Sequence, residues 1–584
     1  MTTIVRPAAI AAPVVRVEAA NITEGQVVSG AHIVGECLRR EGVDIIFGHP
    51  GGAILPLYHV LPEFPVQHIL CRHEQAAAMA ADGWARMKGR PGVCMATSGP
   101  GATNLVTGLA SAMMDSVPVV AITGNVPTGL LGTDAFQETD IVGISMPCTK
   151  HNYLVERVED LATILRQAFH IAGTGRPGPV LVDIPKDVLT GTCEFRYPET
   201  VSLRGYKPTM SGNARQIKAA ANVINQARKP LIIAGHGVAI SGAFDELLTL
   251  AERADIPVTW TLLGSSTFPD THRLSLGMTG LHGTSVSNRA ICECDALIAI
   301  GMRMDDRVTG KVSGFAPNAK IVHVDIDPAE IGKNVKVHVP IVGDAKKVLS
   351  ALVELVNPAE RPSWHEQLAE FERRHPGMAI HQDKSEMLLP QTALKALSEV
   401  CDGEAIITTD VGQHQMWAAR YIRFKQYNRF ASSGGLGSMG FGLPSAMGAQ
   451  FACPNDVVWT VVGDGGFQMN IQELATIAEH NLPVKICLLN NYYLGMVRQI
   501  QELFYQGRYS ASYLGSPDFV KICDGYGLPA WRVTTPEECE PAIRAAMAHN
   551  GPALVEFVID ANENCFPMIP PGGTLFDLIE DPRD

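Results

Sequence analysis

Short runs that are apolar on both faces recur along this chain, separated by alanine-rich stretches of helical composition. VDIIFG (43–48), GVCMATSG (92–99), PVVAITG (118–124) and GPVLVDIP (178–185) read as strands, and EQAAAMAADGWARM (74–87) and ATNLVTGLASAMM (102–114) as helices. A strand with no polar face needs cover on both sides, so the alternation dictates parallel α/β sheets. The pattern returns in PLIIAGHG (230–237), ALIAIGMRM (296–304) and KIVHVDIDP (320–328), and again in AIITTDVG (405–412), VVWTVVGDGG (457–466) and VKICLLNN (484–491). A Pro/Gly/Ser/Thr-rich segment separates the first two groups, and a polar helical stretch near 363–375 precedes the third. The expected organisation is three consecutive parallel-sheet α/β domains at 26–195, 214–375 and 376–560, with a linker at 196–213, a disordered tail at 1–25 and a C-terminal tail at 561–584. No sequence repeat is visible between the three.

With 584 residues, the chain can build several cores without disulfides or a structural metal. A net charge of −13 argues against nucleic acid, whose binding rests on Lys and Arg neutralising phosphates. No apolar run approaches the roughly 18 residues of a membrane span. Thirteen cysteines lie scattered, and the closest, Cys292 and Cys294, have no second pair at zinc spacing, which fits reduced thiols and a cytoplasmic setting. The short N-terminal apolar stretch between Arg6 and Arg16 is broken by Pro13 and reads as a tail rather than a targeting signal.

The most informative segment runs from 457 to 493: strand, Gly-rich turn, helix (about 470–480), strand. In a parallel βαβ unit both strands end on one edge, so Asp464 and Asn491 project together where open α/β sheets bind ligands. Oxygen donors of this kind suit Mg²⁺ shared with a diphosphate. Gly463, Gly465 and Gly466 let backbone approach the anion, and the helix N-terminus behind them favours negative charge. Read alone, GDGG is also compatible with an ordinary turn.

Together with Asn491, this segment matches the diphosphate motif of thiamine-diphosphate (ThDP) enzymes, and the whole chain resembles that superfamily. FGHPGGAILPLY (47–58), TSGPGATNLVTG (97–108), GTDAFQETD (132–140), TKHNYLV (149–155), DDRVTGK (305–311), DVGQHQMWAA (410–419) and SSGGLGSMGFGLPSAMGAQ (432–450) narrow the resemblance to the catalytic subunits of acetohydroxyacid synthase (acetolactate synthase). The resemblance implies an N-terminal pyrimidine-binding domain, a Rossmann-like central FAD domain and a C-terminal diphosphate domain. It implies that Glu74, which by position alone would only complement a helix dipole, hydrogen-bonds the cofactor's aminopyrimidine across a subunit interface. Val411, Gly412, Gln413, His414, Gly437, Met439 and Met469 would contact the cofactor. Asp464, Asn491 and the backbone carbonyl of Tyr493 would hold the metal. Gly51, Phe136, Gln137, Lys150 and Met496 would line the substrate pocket.

Arg307 reads either as a surface ion pair or as the guanidinium that binds the carboxylate of a second 2-ketoacid, the role the resemblance assigns it. Flavin binding at Gly235, Gly237, His282, Arg303, Asp325 and Asp344 rests on the resemblance, since no G-x-G-x-x-G fingerprint is present. The implied reaction condenses pyruvate with pyruvate or 2-ketobutyrate, releasing CO₂ and giving 2-acetolactate or 2-aceto-2-hydroxybutyrate on the way to branched-chain amino acids. The implied cofactors are ThDP, Mg²⁺ and FAD, and the implied assembly is a homodimer or homotetramer with a small ACT-type regulatory subunit. Ile500 stands where this family usually has Trp, which should weaken preference for 2-ketobutyrate. Two alternatives are another ThDP-dependent pyruvate enzyme and, in a different class, a non-catalytic nucleotide-binding protein.

Overall fold

The computed structural model describes residues 19–583. Three six-stranded sheets follow one another along the chain, and every strand pairing within them is parallel. Across the first sheet the strands lie in the order Gln67–Leu70, Ile45–Gly48, Gly92–Ala96, Val119–Asn125, Val180–Pro185, His151–Leu154. The third sheet runs Phe430–Ser432, Ile406–Thr409, Val458–Gly463, Lys485–Asn490, Ala553–Val558, Ala530–Val533. Numbered along the chain within each block, both orders are 2-1-3-4-6-5. The first and third blocks therefore share one topology, a duplication with no counterpart visible in the amino acids. The middle sheet, Ser275–Met278, Val258–Trp260, Pro230–Ala234, Ala296–Ile300, Lys320–Asp325, Val339–Val342, has the order 3-2-1-4-5-6, that of the dinucleotide-binding fold.

The first and third blocks share a single apolar core. Trp84, Ala80 and Ala81 from the first join Met447, Phe467 and Ile477 from the third. The contact is made by helix Glu74–Lys88 lying against helix Gly442–Ala452. Glycine is required there because a Cβ on Gly448 would come within 1.9 Å of the Ala80 carbonyl, and one on Gly83 within 2.2 Å of the Ser445 carbonyl. The middle block shares a second core with the other side of the third.

Both terminal segments are more ordered than the sequence suggests. Of the expected disordered tail, residues 1–18 lie outside the described residues, but 19–25 dock on the first block. There the Ala20 amide donates to the Glu63 carbonyl at 2.9 Å and Ile22 is buried. The C-terminal segment straps onto the middle block. Met568 pairs with Ile579, and Ile569 and Leu575 enter the core that contains Trp364. All thirteen cysteines are free thiols. Among the described residues no helix is long and apolar enough to cross a membrane.

Candidate active site

The strands Val458–Gly463 and Lys485–Asn490 are parallel neighbours, so the segments that follow them leave the same sheet edge. Asp464 and Asn491 line one small cavity there with Gly463, Gly465, Gly466, Met439 and Tyr493. The expected helix at 470–480 is corrected. Helix Asp464–Met469 begins six residues earlier, with Gly463 as its N-cap. The chain breaks at Asn470 and continues as Ile471–Glu473 and Leu474–Glu479. Gly465 and Gly466 thus lie in the first helical turn, behind N-cap Gly463, and that turn lines the cavity. A Cβ on Gly466 would sit 2.2 Å from Asp410 Oδ1, so only glycine fits.

Burial raises the Asp464 carboxyl to about 6, and Ser516 donates its hydroxyl to Oδ2. Asn491 Oδ1 accepts from the Tyr493 amide at 3.1 Å, and its Nδ2 donates to Gln413 Oε1 at 3.3 Å. One carboxylate, one amide oxygen and a backbone carbonyl form an all-oxygen set that suits a cation sharing phosphate oxygens. Among the described residues no group of three His, Cys, Asp or Glu side chains could hold a metal. His414 also lines this cavity. Burial holds its imidazole neutral, at about 3, and Nε2 is buried with no partner. A neutral ring has one N–H, which the Asp410 carbonyl accepts, so Nε2 is left as an acceptor without a donor. Gln413 lines the cavity too; its amide nitrogen donates to Gln499 and to the Glu563 carbonyl, and its Oε1 accepts from Asn491, which it helps to orient.

In the first block, Gly51, Glu74 and Gln137 gather at the carboxyl edge of the sheet. Glu74 opens its helix behind N-cap His73 and is almost fully buried. Asn104 donates to Glu74 Oε2 at 2.9 Å, and a Cβ on Gly101 would lie 3.3 Å from Oε1. Gly51 presses on Thr97, and Gly99 on the backbone of Gln137, which takes a positive φ of 59°. Phe136 beside it is 88% exposed. Lys150 is not part of this group. It precedes strand His151–Leu154, at the opposite edge, and its ammonium donates to the Ile171 and Thr174 carbonyls and to the Tyr206 hydroxyl. Burial lowers it to about 8. It caps a helix C-terminus rather than lining a pocket.

A cavity of about 1480 Å³ runs between all three blocks. Its walls carry Gly237, His282, Arg303, Asp325 and Asp344 from the middle block, and Val411, Gly412, Gly437, Met496 and Ile500 from the third. Burial lowers His282 to about 4, leaving Nδ1 unpartnered, and raises Asp325 to about 7. The size and the unpartnered His282 nitrogen fit a flavin dinucleotide. Gly235 is outside the wall and is needed for packing, since a Cβ would strike the Gly301 carbonyl at 2.2 Å. Arg307 lines the same cavity with its side chain 71% exposed, and its contact with Asp306, 3.5 Å, is loose. Val411, Gly412 and Met496 line both cavities, so the two adjoin. Glu74 and Met469 line neither; Met469 is half-exposed beside Gly440.

Two buried carboxylates absent from the sequence reading clamp the loop that carries Gly437 and Met439. Asp115 accepts from the Gly434 and Gly435 amides and from Arg86, which also pairs with Asp82. Asp410 accepts from the amides of Val411, Gly440 and Gly442. Asp410 ends a strand beside a glycine, a signal that was available; nothing local marks Asp115.

Against this geometry the comparisons with known proteins are consistent. Residues 28–144 match the thiamine pyrophosphate enzyme N-terminal TPP binding domain, 217–352 the central domain and 410–557 the C-terminal TPP binding domain. The chain belongs to the thiamine pyrophosphate enzyme family. Its relatives include a probable acetolactate synthase large subunit of Methanocaldococcus jannaschii, 51% identical with 95% of each chain covered. An acetolactate synthase of Mycobacterium bovis is 49% identical, covering 96% of this chain and 92% of its own. An acetolactate synthase large subunit of Corynebacterium glutamicum is 48% identical, covering 94% and 90%. Within the family, the chain groups with the acetolactate synthase large subunits.

Proposed function

We propose that the chain is the catalytic subunit of an acetolactate synthase, joining the two-carbon unit left by decarboxylation of pyruvate to a second 2-ketoacid. The observation that carries this reading is that the large three-block cavity, with Arg307 and Ile500 on its wall, adjoins the small cavity of Asp464 and Asn491. When bound, ThDP with its metal supplies a carbon nucleophile and an electron sink for the loss of CO₂.

The chain's own residues do the rest. Asp464, Asn491 and the Tyr493 carbonyl would hold Mg²⁺, while the first helical turn would hold phosphate oxygens and His414 would lie against the cofactor beside them. Glu74 exchanges a proton with the aminopyrimidine ring. By the family resemblance Glu74 serves a cofactor held by a second copy, and the working unit is a homodimer or larger; that Glu74 lines neither cavity of its own chain agrees with this. Arg307 binds the carboxylate of the acceptor, pyruvate or 2-ketobutyrate, through paired bonds. Met496 and Ile500 set the width of the acceptor site. FAD occupies the large cavity in a structural role, because the net reaction moves no electrons. A small regulatory subunit and a cytoplasmic setting, as precursor supply for branched-chain amino acids, complete the reading.

The test is acetolactate formation from pyruvate by the purified protein, with each of ThDP, Mg²⁺ and FAD omitted in turn. Product that needs ThDP and Mg²⁺ but not oxygen is expected. Acetyl phosphate or acetaldehyde as the main product would instead identify another pyruvate enzyme of the same class.

A further inference from the structure

A buried acid of the third block, Glu473, has no part in the site as described. Its side chain is fully buried at the end of the turn Ile471–Glu473, just beyond the glycine-rich helix Asp464–Met469. Oε1 accepts from the backbone amides of Arg72 at 2.9 Å and His73 at 3.0 Å, and Oε2 accepts from the Thr476 hydroxyl at 2.8 Å. The Leu70 carbonyl lies 3.1 Å from the same hydroxyl, a second acceptor for its one proton. Residues 71–73 are the whole connection between strand Gln67–Leu70 and the helix that Glu74 opens. Arg72 adds an ion pair to Glu479 at 2.7 Å, again in the third block.

We propose that Glu473 is a positioning residue for Glu74: it fixes the backbone that aims the acid. The inference rests on the reading of Glu74 given above. A helix start leaves amide donors without helical partners, and no side chain of the first block takes those of Arg72 and His73. A carboxylate accepting two of them is stronger than neutral acceptors would be. Its burial is costly, and burial pushes the Glu473 carboxyl above its ordinary range. A buried acid of this kind is kept where its bonds are all made. The turn that carries Glu473 is continuous with the helix that cradles diphosphate. The same few residues of the third block therefore hold one cofactor's anion and set the acid offered to another.

The experiment uses the full-length protein with Glu473→Ala, Glu473→Gln and Glu74→Gln. Hydrogen exchange of the unliganded protein should show the Arg72 and His73 amides of Glu473→Ala exchanging about tenfold faster or more, with the helix beyond Ala78 unchanged, since two bonds to a charged acceptor are lost. Glu473→Gln keeps an oxygen acceptor and should stay within about threefold of wild type. Exchange of the thiazolium C2 proton of bound ThDP should slow about tenfold in Glu473→Ala while ThDP affinity changes less than about threefold. Glu473→Asp is one methylene too short to reach both amides and carries the same expectation should the alanine variant not fold. If Glu74→Gln leaves C2 exchange untouched, the reading of Glu74 itself fails. If Glu74→Gln slows it and Glu473→Ala does not, or the two amides stay protected, the positioning role is overturned.

Discussion

The first and third blocks have one strand order and opposite chemistry. At the carboxyl edge of the third sheet stand oxygen donors and a glycine-rich helical turn that suit an anion and its metal. At the same edge of the first stand a buried acid, the amide of Asn104 and glycines pressed against Thr97 and Gln137. The topology decides which edge is available, and the segments after each strand decide what happens there. The middle block, with a different strand order, contributes the largest share of the wall of the large cavity.

The contrast is broken most directly by exchanging losses between the two edges. Glu74→Gln should cut turnover by about 10²–10⁴-fold with little change in ThDP affinity, as expected for removal of a proton-transferring group. Asp464→Asn should instead weaken Mg²⁺ and ThDP binding. Steady-state kinetics and calorimetry separate the two, and a matching pattern in both variants would erase the division of labour. Gly448→Val tests the joint between the blocks: with Cβ 1.9 Å from the Ala80 carbonyl, it should lose about 3 kcal/mol or fail to fold. Thermal denaturation reads the loss, and a wild-type melting point would mean that the two helices can separate freely.

Arg307→Ala should raise the acceptor KM about 10- to 100-fold while leaving pyruvate decarboxylation intact, since one charge-assisted pair is lost. Progress curves with varied 2-ketobutyrate measure it. His236 sharpens the comparison from the middle block, where its Nδ1 hydrogen-bonds the Asp115 carbonyl of the first at 2.7 Å. Burial lowers this ring to about 4 from 6.5. Between those values the unfolded chain binds a proton that the folded chain does not, so stability falls as pH drops through 6.5 toward 4. The loss is about 2 kcal/mol at pH 5. His236→Gln should flatten the change in melting temperature between pH 7 and 5, and parallel curves for the two proteins would exclude the ring. The smallest effect is specificity. Ile500→Trp should shift the product ratio toward 2-aceto-2-hydroxybutyrate by about tenfold, the scale of apolar pocket contacts, as mixed-ketoacid competition would show.

Strands buried on both faces, such as Val119–Asn125 and Lys485–Asn490, were legible because their composition allows no polar face. Sheet-edge strands such as His151–Leu154 and Phe430–Ser432 escaped notice, being short and placed where one neighbour is missing. The start of the helix at Asp464 was misread because glycines signal a turn, although here Gly465 and Gly466 lie in the first turn of the helix itself. The joint placement of Asp464 and Asn491 followed from strand logic alone. Lys150 was carried over from a resemblance, which conveys identity but not the partners that use up its donors. Asp115 and Glu473 find theirs more than 300 residues away, a pairing no local pattern announces.

The core shared by Trp84 and Met447 has a consequence for biosynthesis. The alanine-rich helix emerges from the ribosome long before its cover does, and at about 5–20 residues per second the wait lasts tens of seconds. Through that interval a nascent chain presents a bare apolar ridge, so a chaperone that shields it, or slow synthesis in the cold, should govern the yield of native enzyme more than any property of the finished fold.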